Sequence, residues 1–169
     1  MHASSYADLL WDLPSDKLPA ILASGVPVNE PDAHGDYLLT VACQRLRSES
    51  VELLLAAGAH PDRKNAEGDT PLLCAIDHVH HDPEAALSIV EMLAAAGADL
   101  EIRGYMEKPP FLKACSRNCL PMVKLLVRLG ANIHAVVDDG GPPLGGMEFA
   151  RIFEAPEEMK EYLRGLYRA

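Results

Sequence analysis

Four glycines recur along the chain at nearly constant spacing, each at the end of a run rich in leucine and alanine. Gly25, Gly58, Gly97 and Gly130 are separated by 33, 39 and 33 residues. A repeat of about 20–50 residues indicates a chain built from stacked copies of one small supersecondary unit. Because such a unit cannot bury its apolar face alone, the sequence predicts a row of units rather than one closed core.

A second marker keeps the same register. Pro71, Pro110 and Pro143 each precede a large apolar residue and are separated by 39 and 33 residues. The pairs Gly35-Asp36 and Gly68-Asp69 differ by 33 positions. Two independent markers that share one six-residue insertion are difficult to obtain by chance, so the repeat is real.

Each unit is interpreted as a turn followed by two helices. The Gly- and Asp-rich stretch forms the turn, and the proline begins the first helix, where its fixed φ fits and its missing N–H is not needed. The spacing predicts a first helix over residues 71–76 and an amphipathic second helix around residues 51–55. Gly58, Gly97 and Gly130 are then expected to end the second helices in the left-handed conformation.

This pattern resembles the ankyrin repeat, whose consensus reads roughly G-x-T-P-L-H-x-A followed by V-x-x-L-L-x-x-G-A-D. The best-preserved copy is G-D-T-P-L-L-C-A at residues 68–75 with V-E-M-L-A-A-A-G-A-D at residues 90–99. The resemblance covers about residues 15–145. Tyr37 and Leu38 replace Thr-Pro in one unit, Glu107 and Pro109 replace Gly and Thr in another, and the consensus His is missing throughout.

The resemblance implies an all-α, ankyrin-type solenoid of about five helix-turn-helix repeats, three full and two degenerate caps. We expect one domain over residues 1–169, with Leu9, Leu10, Leu18, Ile21 and Leu22 covering the first inner face. The expected parts are an N-terminal capping repeat (1–31), full repeats (32–64, 65–103 and 104–136) and a C-terminal capping repeat (137–169). The last repeat is expected to begin at Asp139-Gly140-Gly141-Pro142-Pro143-Leu144.

Charge and composition exclude several classes of partner. The 169 residues include 15 Lys and Arg against 25 Asp and Glu, which gives a net charge of -10. Such a chain is a poor ligand for nucleic-acid phosphates or an anionic membrane surface. The N-terminus has no basic start before an apolar stretch, and no apolar run approaches the ~18 residues of a membrane span. We therefore expect a cytoplasmic protein.

Two groups of residues could bind a metal. Cys115 and Cys119 are four positions apart but lack a second pair, so the four cysteines are interpreted as small buried thiols in a reducing compartment. The six inserted residues are expected between the two helices of the third unit, near residues 77–83. His78, His80 and His81 there form either a metal site, which Asp77 or Asp82 could join, or a loop that is solvated or contacts a partner. We expect no cofactor and no structural metal.

No motif predicts catalysis. A nucleophile needs an adjacent, oriented base, and no such signature surrounds the histidines. The glycine-rich residues 140–146 include two prolines that remove N–H donors, so they are interpreted as a turn rather than a phosphate loop. The sequence therefore favours a protein that is not an enzyme. A metal-dependent enzyme using residues 78–81 is the alternative.

The remaining function is recognition, and the resemblance indicates where. In ankyrin-like stacks the turn tips and the first helices line one face, and their side chains are not needed for the core. Register places these residues at His34, Asp36, Gln44 and Arg45 in the second unit, Glu67, Asp69, Asp77 and His78 in the third, Tyr105, Met106, Lys108, Ser116 and Arg117 in the fourth, and Asp138 and Asp139 in the last.

The character of these positions predicts the partner. The six carboxylates among them are expected to form an exposed negative strip, and Tyr105 and Met106 an apolar anchor beside it. Trp11, the single tryptophan, either packs in the N-terminal cap or acts as a second anchor. The chain is thus expected to bind a protein with a basic patch, and to be a monomer on its own.

Two functional hypotheses follow from these expectations. The first is a small acidic inhibitor of a partner protein, for example a bacterial immunity protein that neutralises a toxin. The alternative is an adaptor or assembly protein that binds a peptide or a folded partner without inhibiting it. Neither requires nucleic acid, a membrane or a cofactor.

Overall fold

The computed structural model describes residues 15–138 and 140–168. Within these ranges the regular structure is helical, and the single β pairing is an isolated antiparallel bridge between Val137 and Leu144. The expected all-α class is confirmed. Leu9, Leu10 and Trp11 of the predicted N-terminal cap lie outside the described residues, as does Asp139.

The chain divides into two compact units, unit 1 (residues 1–99) and unit 2 (residues 100–169). The helices of unit 1 are α1 (Leu18–Ala23), α2 (Leu38–Gln44), α3 (Ser48–Ala56), α4 (Pro71–Asp77) and α5 (Pro83–Ala95). Helix α2 packs against α3 and α4, and α5 packs against α3 and α4. One leucine from each of these four helices is fully buried: Leu39, Leu54, Leu72 and Leu93.

The prediction that Pro71 begins the first helix of the best-preserved repeat is confirmed, and this helix ends at Asp77, one residue beyond the predicted end. Helix α4 begins at Pro71, and the Thr70 hydroxyl before it accepts the Leu73 N–H at 3.4 Å, which caps the first turn. Gly58 and Gly97 follow α3 and α5 with φ of 85° and 88°, the left-handed conformation expected of a helix end.

The six-residue insertion does not all lie between the two helices of its repeat, as the sequence suggested. Five residues (78–82) separate α4 from α5, whereas three (45–47) separate α2 from α3. Helix α5 has 13 residues and α3 has nine, so four of the six inserted residues add about one turn to the helix. This extra turn begins at Pro83, with the Asp82 carboxylate accepting the Ala85 N–H at 3.0 Å.

The helices of unit 2 are α6 (Pro110–Ser116), α7 (Leu120–Arg128), α8 (Gly146–Ile152) and α9 (Glu157–Leu166). Helix α6 packs against α7 and α8, and α8 packs against α9. Gly130 follows α7 with φ of 92°, in the position equivalent to Gly58 and Gly97.

The prediction that the proline of the last repeat begins a helix is wrong. The equivalent proline is Pro143, but α8 begins at Gly146. Val137 and Leu144 exchange both backbone hydrogen bonds, at 3.0 and 2.9 Å, as an isolated antiparallel bridge just before α8. Glu148 then accepts the Gly145 N–H at 3.1 Å, so the helix has a capping interaction of its own.

A side chain in each repeat holds the backbone of the next. The oxygens of Asn29, Asp62 and Glu101 accept backbone N–H groups 31, 37 and 31 residues later, at 2.7, 3.0 and 2.7 Å. The first two bonds lie within unit 1 and the third within unit 2. Each contributes about 1 kcal/mol and fixes the register between successive turns.

Candidate protein-binding surfaces

The first turn tip, residues 32–36, is fixed by its own side chain. The Asp32 Oδ1 accepts the N–H groups of His34 and Asp36, both at 2.8 Å, which is the Asx-turn arrangement. Gly35 has φ of 84°, and a Cβ there would lie 3.0 Å from the Cβ of Ala66. The tip is therefore held both by hydrogen bonds and by close contact with the following repeat.

The second tip, residues 65–69, repeats this arrangement and corrects one expectation. Asn65 Oδ1 accepts the N–H groups of Glu67 and Asp69 at 3.1 and 2.9 Å. The expectation that Asp69 is open to solvent is wrong, since it is only 4% exposed. Its carbonyl also accepts the Asn65 N–H at 2.9 Å, so both ends of the turn close at its base, next to the start of α4. Glu67, at the apex, is exposed.

Negative charge is concentrated in unit 1. Residues 1–99 include 16 acidic and five basic residues, a net charge of -11, whereas residues 100–169 include nine acidic and ten basic residues, a net charge of +1. At the tips the carboxylates are close enough to repel one another. Partial burial, followed by repulsion from Asp32 and Glu67, raises the pKa of Asp36 above its ordinary value.

A groove of about 690 Å³ lies beside these tips in unit 1. The four predicted residues Gln44, Arg45, Glu67 and His78 line it together, which sequence register alone could not establish. Sequence reasoning missed Leu46 and Arg47, and His81 of the histidine-rich turn completes the lining. Two of the five basic residues of unit 1 line this groove together with Glu67, so its wall carries both signs of charge.

The histidine-rich turn of unit 1 forms part of the wall of this groove. Val79 is fully buried and anchors the turn, and His78 Nδ1 donates to the Cys74 carbonyl at 2.9 Å. The rings of His78 and His81 are 5.6 Å apart, while His80 is exposed. Within residues 15–138 and 140–168, no three His, Cys, Asp or Glu side chains are placed to hold a metal ion. The metal alternative therefore has no ligand set in the described residues.

The third tip, residues 104–108, differs from the first two. Glu107 stands where they have glycine, and both Met106 and Glu107 adopt positive φ, 58° and 54°. The Arg103 guanidinium holds this conformation by donating to the carbonyls of Glu107 at 2.9 Å and Val136 at 3.0 Å. Tyr105 and Met106 are 66% and 60% exposed, as expected for an anchor.

An apolar pocket of about 500 Å³ lies against the third tip. It brings together three predicted residues, Met106, Lys108 and Asp138. The Lys108 ammonium lies 5.1 Å from the centre of the Phe149 ring and 5.6 Å from that of Phe153. Sequence reasoning missed Glu107, Val137, Leu144, Phe149, Ile152 and Phe153, the other residues that line it. The four-residue spacing of the two phenylalanines was the available signal.

Comparison with known proteins identifies the fold family. The family model described as "Ankyrin repeats (3 copies)" matches residues 14–104, more than half of the chain. The chain belongs to the ankyrin-repeat family. Its members are protein–protein interaction modules and are generally not catalytic.

Individual relatives share only this repeat region. The chain is 31% identical over 119 residues to the B-cell lymphoma 3 protein homolog of Mus musculus, covering 68% of this chain and 26% of that protein. It is 33% identical over 95 residues to the human B-cell lymphoma 3 protein, covering 56% and 20%. It is 32% identical over 115 residues to an intracellular phospholipase A2 of Caenorhabditis elegans, covering 62% and 9%. Since the chain spans about a quarter or less of these proteins, the matches carry no activity over to it.

The other predicted positions of these ankyrin repeats lie outside both hollows. His34 and Arg117 are exposed, Asp77 is half-buried, and the half-buried Ser116 donates its hydroxyl to the Lys113 carbonyl at 2.7 Å. The four cysteines are buried thiols that form no disulfide, as expected. Burial raises the pKa of the Cys115 thiol to about 12, which leaves it unreactive at neutral pH. In the described part of the chain, no helix is long and apolar enough to cross a membrane.

Proposed function

We propose that this ankyrin-repeat chain inhibits a partner protein by binding a basic patch on it through the acidic tips of unit 1. A cytoplasmic immunity protein that neutralises a toxin, and that is monomeric without it, is the concrete form of this proposal. The observation that carries it is the charge of -11 in unit 1, with Asp36 and Glu67 crowded at two adjacent tips.

The tips are suited to binding a cation. Burial, and after it repulsion from Asp32 and Glu67, raises the pKa of Asp36, and a Lys or Arg from a partner would relieve the repulsion. Because the Asx turns fix the backbone of both tips, little ordering is needed when the partner binds. Complementary charge also accelerates association and selects against acidic proteins.

A second candidate function is supported by the unit 1 groove. Arg45, Arg47 and His78 line a polar hollow of about 690 Å³, which suits a short peptide segment that carries a carboxylate. An adaptor that holds such a segment would leave the activity of the partner unchanged. The inhibitor would bind through the tips and the adaptor through the groove, and the activity of the bound partner distinguishes the two roles.

The test is to isolate the complex from the native host, identify the bound protein by mass spectrometry and assay its activity. If the chain is an inhibitor, activity falls linearly with added chain and is abolished at one equivalent. Unchanged activity at saturating chain overturns inhibition and supports the adaptor. The control is Glu52→Lys with Glu91→Lys, two exposed positions on α3 and α5 away from the tips, which should inhibit like the wild type.

A further inference from the structure

The pocket of unit 2 gathers apolar surface that is exposed to solvent. Met106, Ile152 and Phe153 are 60%, 57% and 42% exposed and all line the same hollow of about 500 Å³. Single exposed apolar residues are ordinary, but a contiguous group around a concavity marks a site of interaction. The volume is enough for one large aromatic side chain, and too small for a helix.

One wall of this pocket is held in a strained conformation. The first and second tips reach positive φ with Gly35 and Gly68, whereas the third does so with Met106 and Glu107, for which this conformation is unfavourable. Arg103 holds the strained turn with two hydrogen bonds to backbone carbonyls. Strain that is actively maintained beside an exposed concavity is typical of a binding site.

The rim of the pocket favours a positively charged neighbour. Glu107 and Asp138 line it with carboxylates, and both residues are exposed. The one cation in the lining, Lys108, lies over the rings of Phe149 and Phe153, so its charge is directed at their faces. A Lys or Arg entering with the apolar group would therefore meet two carboxylates.

We propose that this pocket receives an aromatic side chain from the partner protein, flanked in the partner's sequence by a lysine or arginine. Tyr105 and Met106 would cover the inserted ring from the tip, and Ile152 would contact it from α8. The inference rests on the proposed function in requiring a protein partner, but it places the apolar part of the contact in unit 2.

The test uses the intact chain and a peptide probe, acetyl-Lys-Trp-Lys-amide, followed by NMR of the isotope-labelled chain. Saturable shifts are expected in the signals of Met106, Ile152 and Phe153. Affinity should be at least fivefold higher than for acetyl-Glu-Trp-Glu-amide, and acetyl-Lys-Ala-Lys-amide should not saturate. Ile152→Ser should weaken binding of the probe at least fivefold, because it removes apolar contact without adding charge, and this exposed position tolerates the change. Val136→Ser, at an exposed apolar residue outside the pocket lining, should bind normally.

Three results would overturn the inference: equal binding of the alanine peptide, equal binding of the glutamate peptide, or unchanged affinity in Ile152→Ser. These outcomes are separate from the fate of the proposed function. If the chain fails to inhibit its partner but binds the probe at Ile152, the inhibitor proposal fails and the pocket stands. If the chain inhibits the partner but does not bind the probe, the inhibitor proposal stands and the pocket inference fails.

Discussion

Replacing Phe111 with alanine should lower the free energy of unfolding by about 3–5 kcal/mol, the cost of removing a buried phenylalanine. Phe111 is 1% exposed and belongs to the second residue position of α6, where that helix packs against α7 and α8. Since the free energy of unfolding of a domain is only about 5–15 kcal/mol, this one change should remove a large part of the stability of unit 2. Urea unfolding followed by circular dichroism measures the loss.

The partner of Phe111 across the helix interface is a glycine, which makes the prediction more specific. A Cβ at Gly146 would lie 3.0 Å from Cε1 of Phe111 and 2.7 Å from the Tyr167 hydroxyl. Gly146→Ala should therefore cost about 1–3 kcal/mol through overpacking. Phe111→Leu removes the contact with the phenyl ring and leaves that with the Tyr167 hydroxyl, so the double variant should cost less than the sum of the single variants.

Ile152, an exposed residue of α8, supplies the control. Ile152→Ala should change the free energy of unfolding by no more than about 0.5 kcal/mol, because the side chain is 57% exposed. If Phe111→Ala cost less than about 1 kcal/mol, or if the two changes at 111 and 146 were simply additive, α6 and α8 would not pack as described.

Reversing the charge of the tips should weaken binding of the partner about 10- to 100-fold, mostly through slower association. The variant is Asp36→Lys with Glu67→Lys, which replaces two mutually repelling carboxylates at adjacent tips with cations. A basic patch on the partner would then be repelled instead of attracted. Surface plasmon resonance at two salt concentrations measures the effect, since screening should weaken wild-type binding but not the variant.

The matched control keeps the same net charge. Glu52→Lys with Glu91→Lys raises the net charge from -10 to -6, as does the tip variant, but on the exposed faces of α3 and α5. The affinity of this control variant for the partner should fall about threefold or less, because its changed charges lie outside the tips that are proposed to contact the partner. If both variants lost affinity equally, the overall charge and not the tips would steer binding. If neither did, the electrostatic proposal would be contradicted.

The sequence alone predicted the features that depend on single residues. Pro71 and Pro110 begin helices because their fixed φ suits a first turn, and Gly58, Gly97 and Gly130 end helices because they adopt positive φ without cost. These effects are local, so a repeat of such residues can be interpreted directly. Tyr105 and Met106 were expected to be exposed from the register of the ankyrin resemblance, and both are.

Features that depend on how residues pair and pack in three dimensions were not predictable in this way. Val137 and Leu144 form a bridge before α8, and Asp69 is buried, with two backbone groups bonded to Asn65 four residues earlier. The apolar pocket combines a tip with α8, so the spacing of Phe149 and Phe153 indicated a shared helix face but not that the two rings line a pocket. The closure of the turns and the packing of the segments had to be known in each case.

We propose that this ankyrin-repeat chain binds a partner protein through its turn tips. Hydrogen–deuterium exchange of the complex tests this binding mode most directly. Exchange should slow on binding in the amides of residues 32–36, 65–69 and 104–108, with little change in α3 and α5. Protection confined to α3, α5, α7 and α9, with unchanged exchange at the three tips, would contradict the claim.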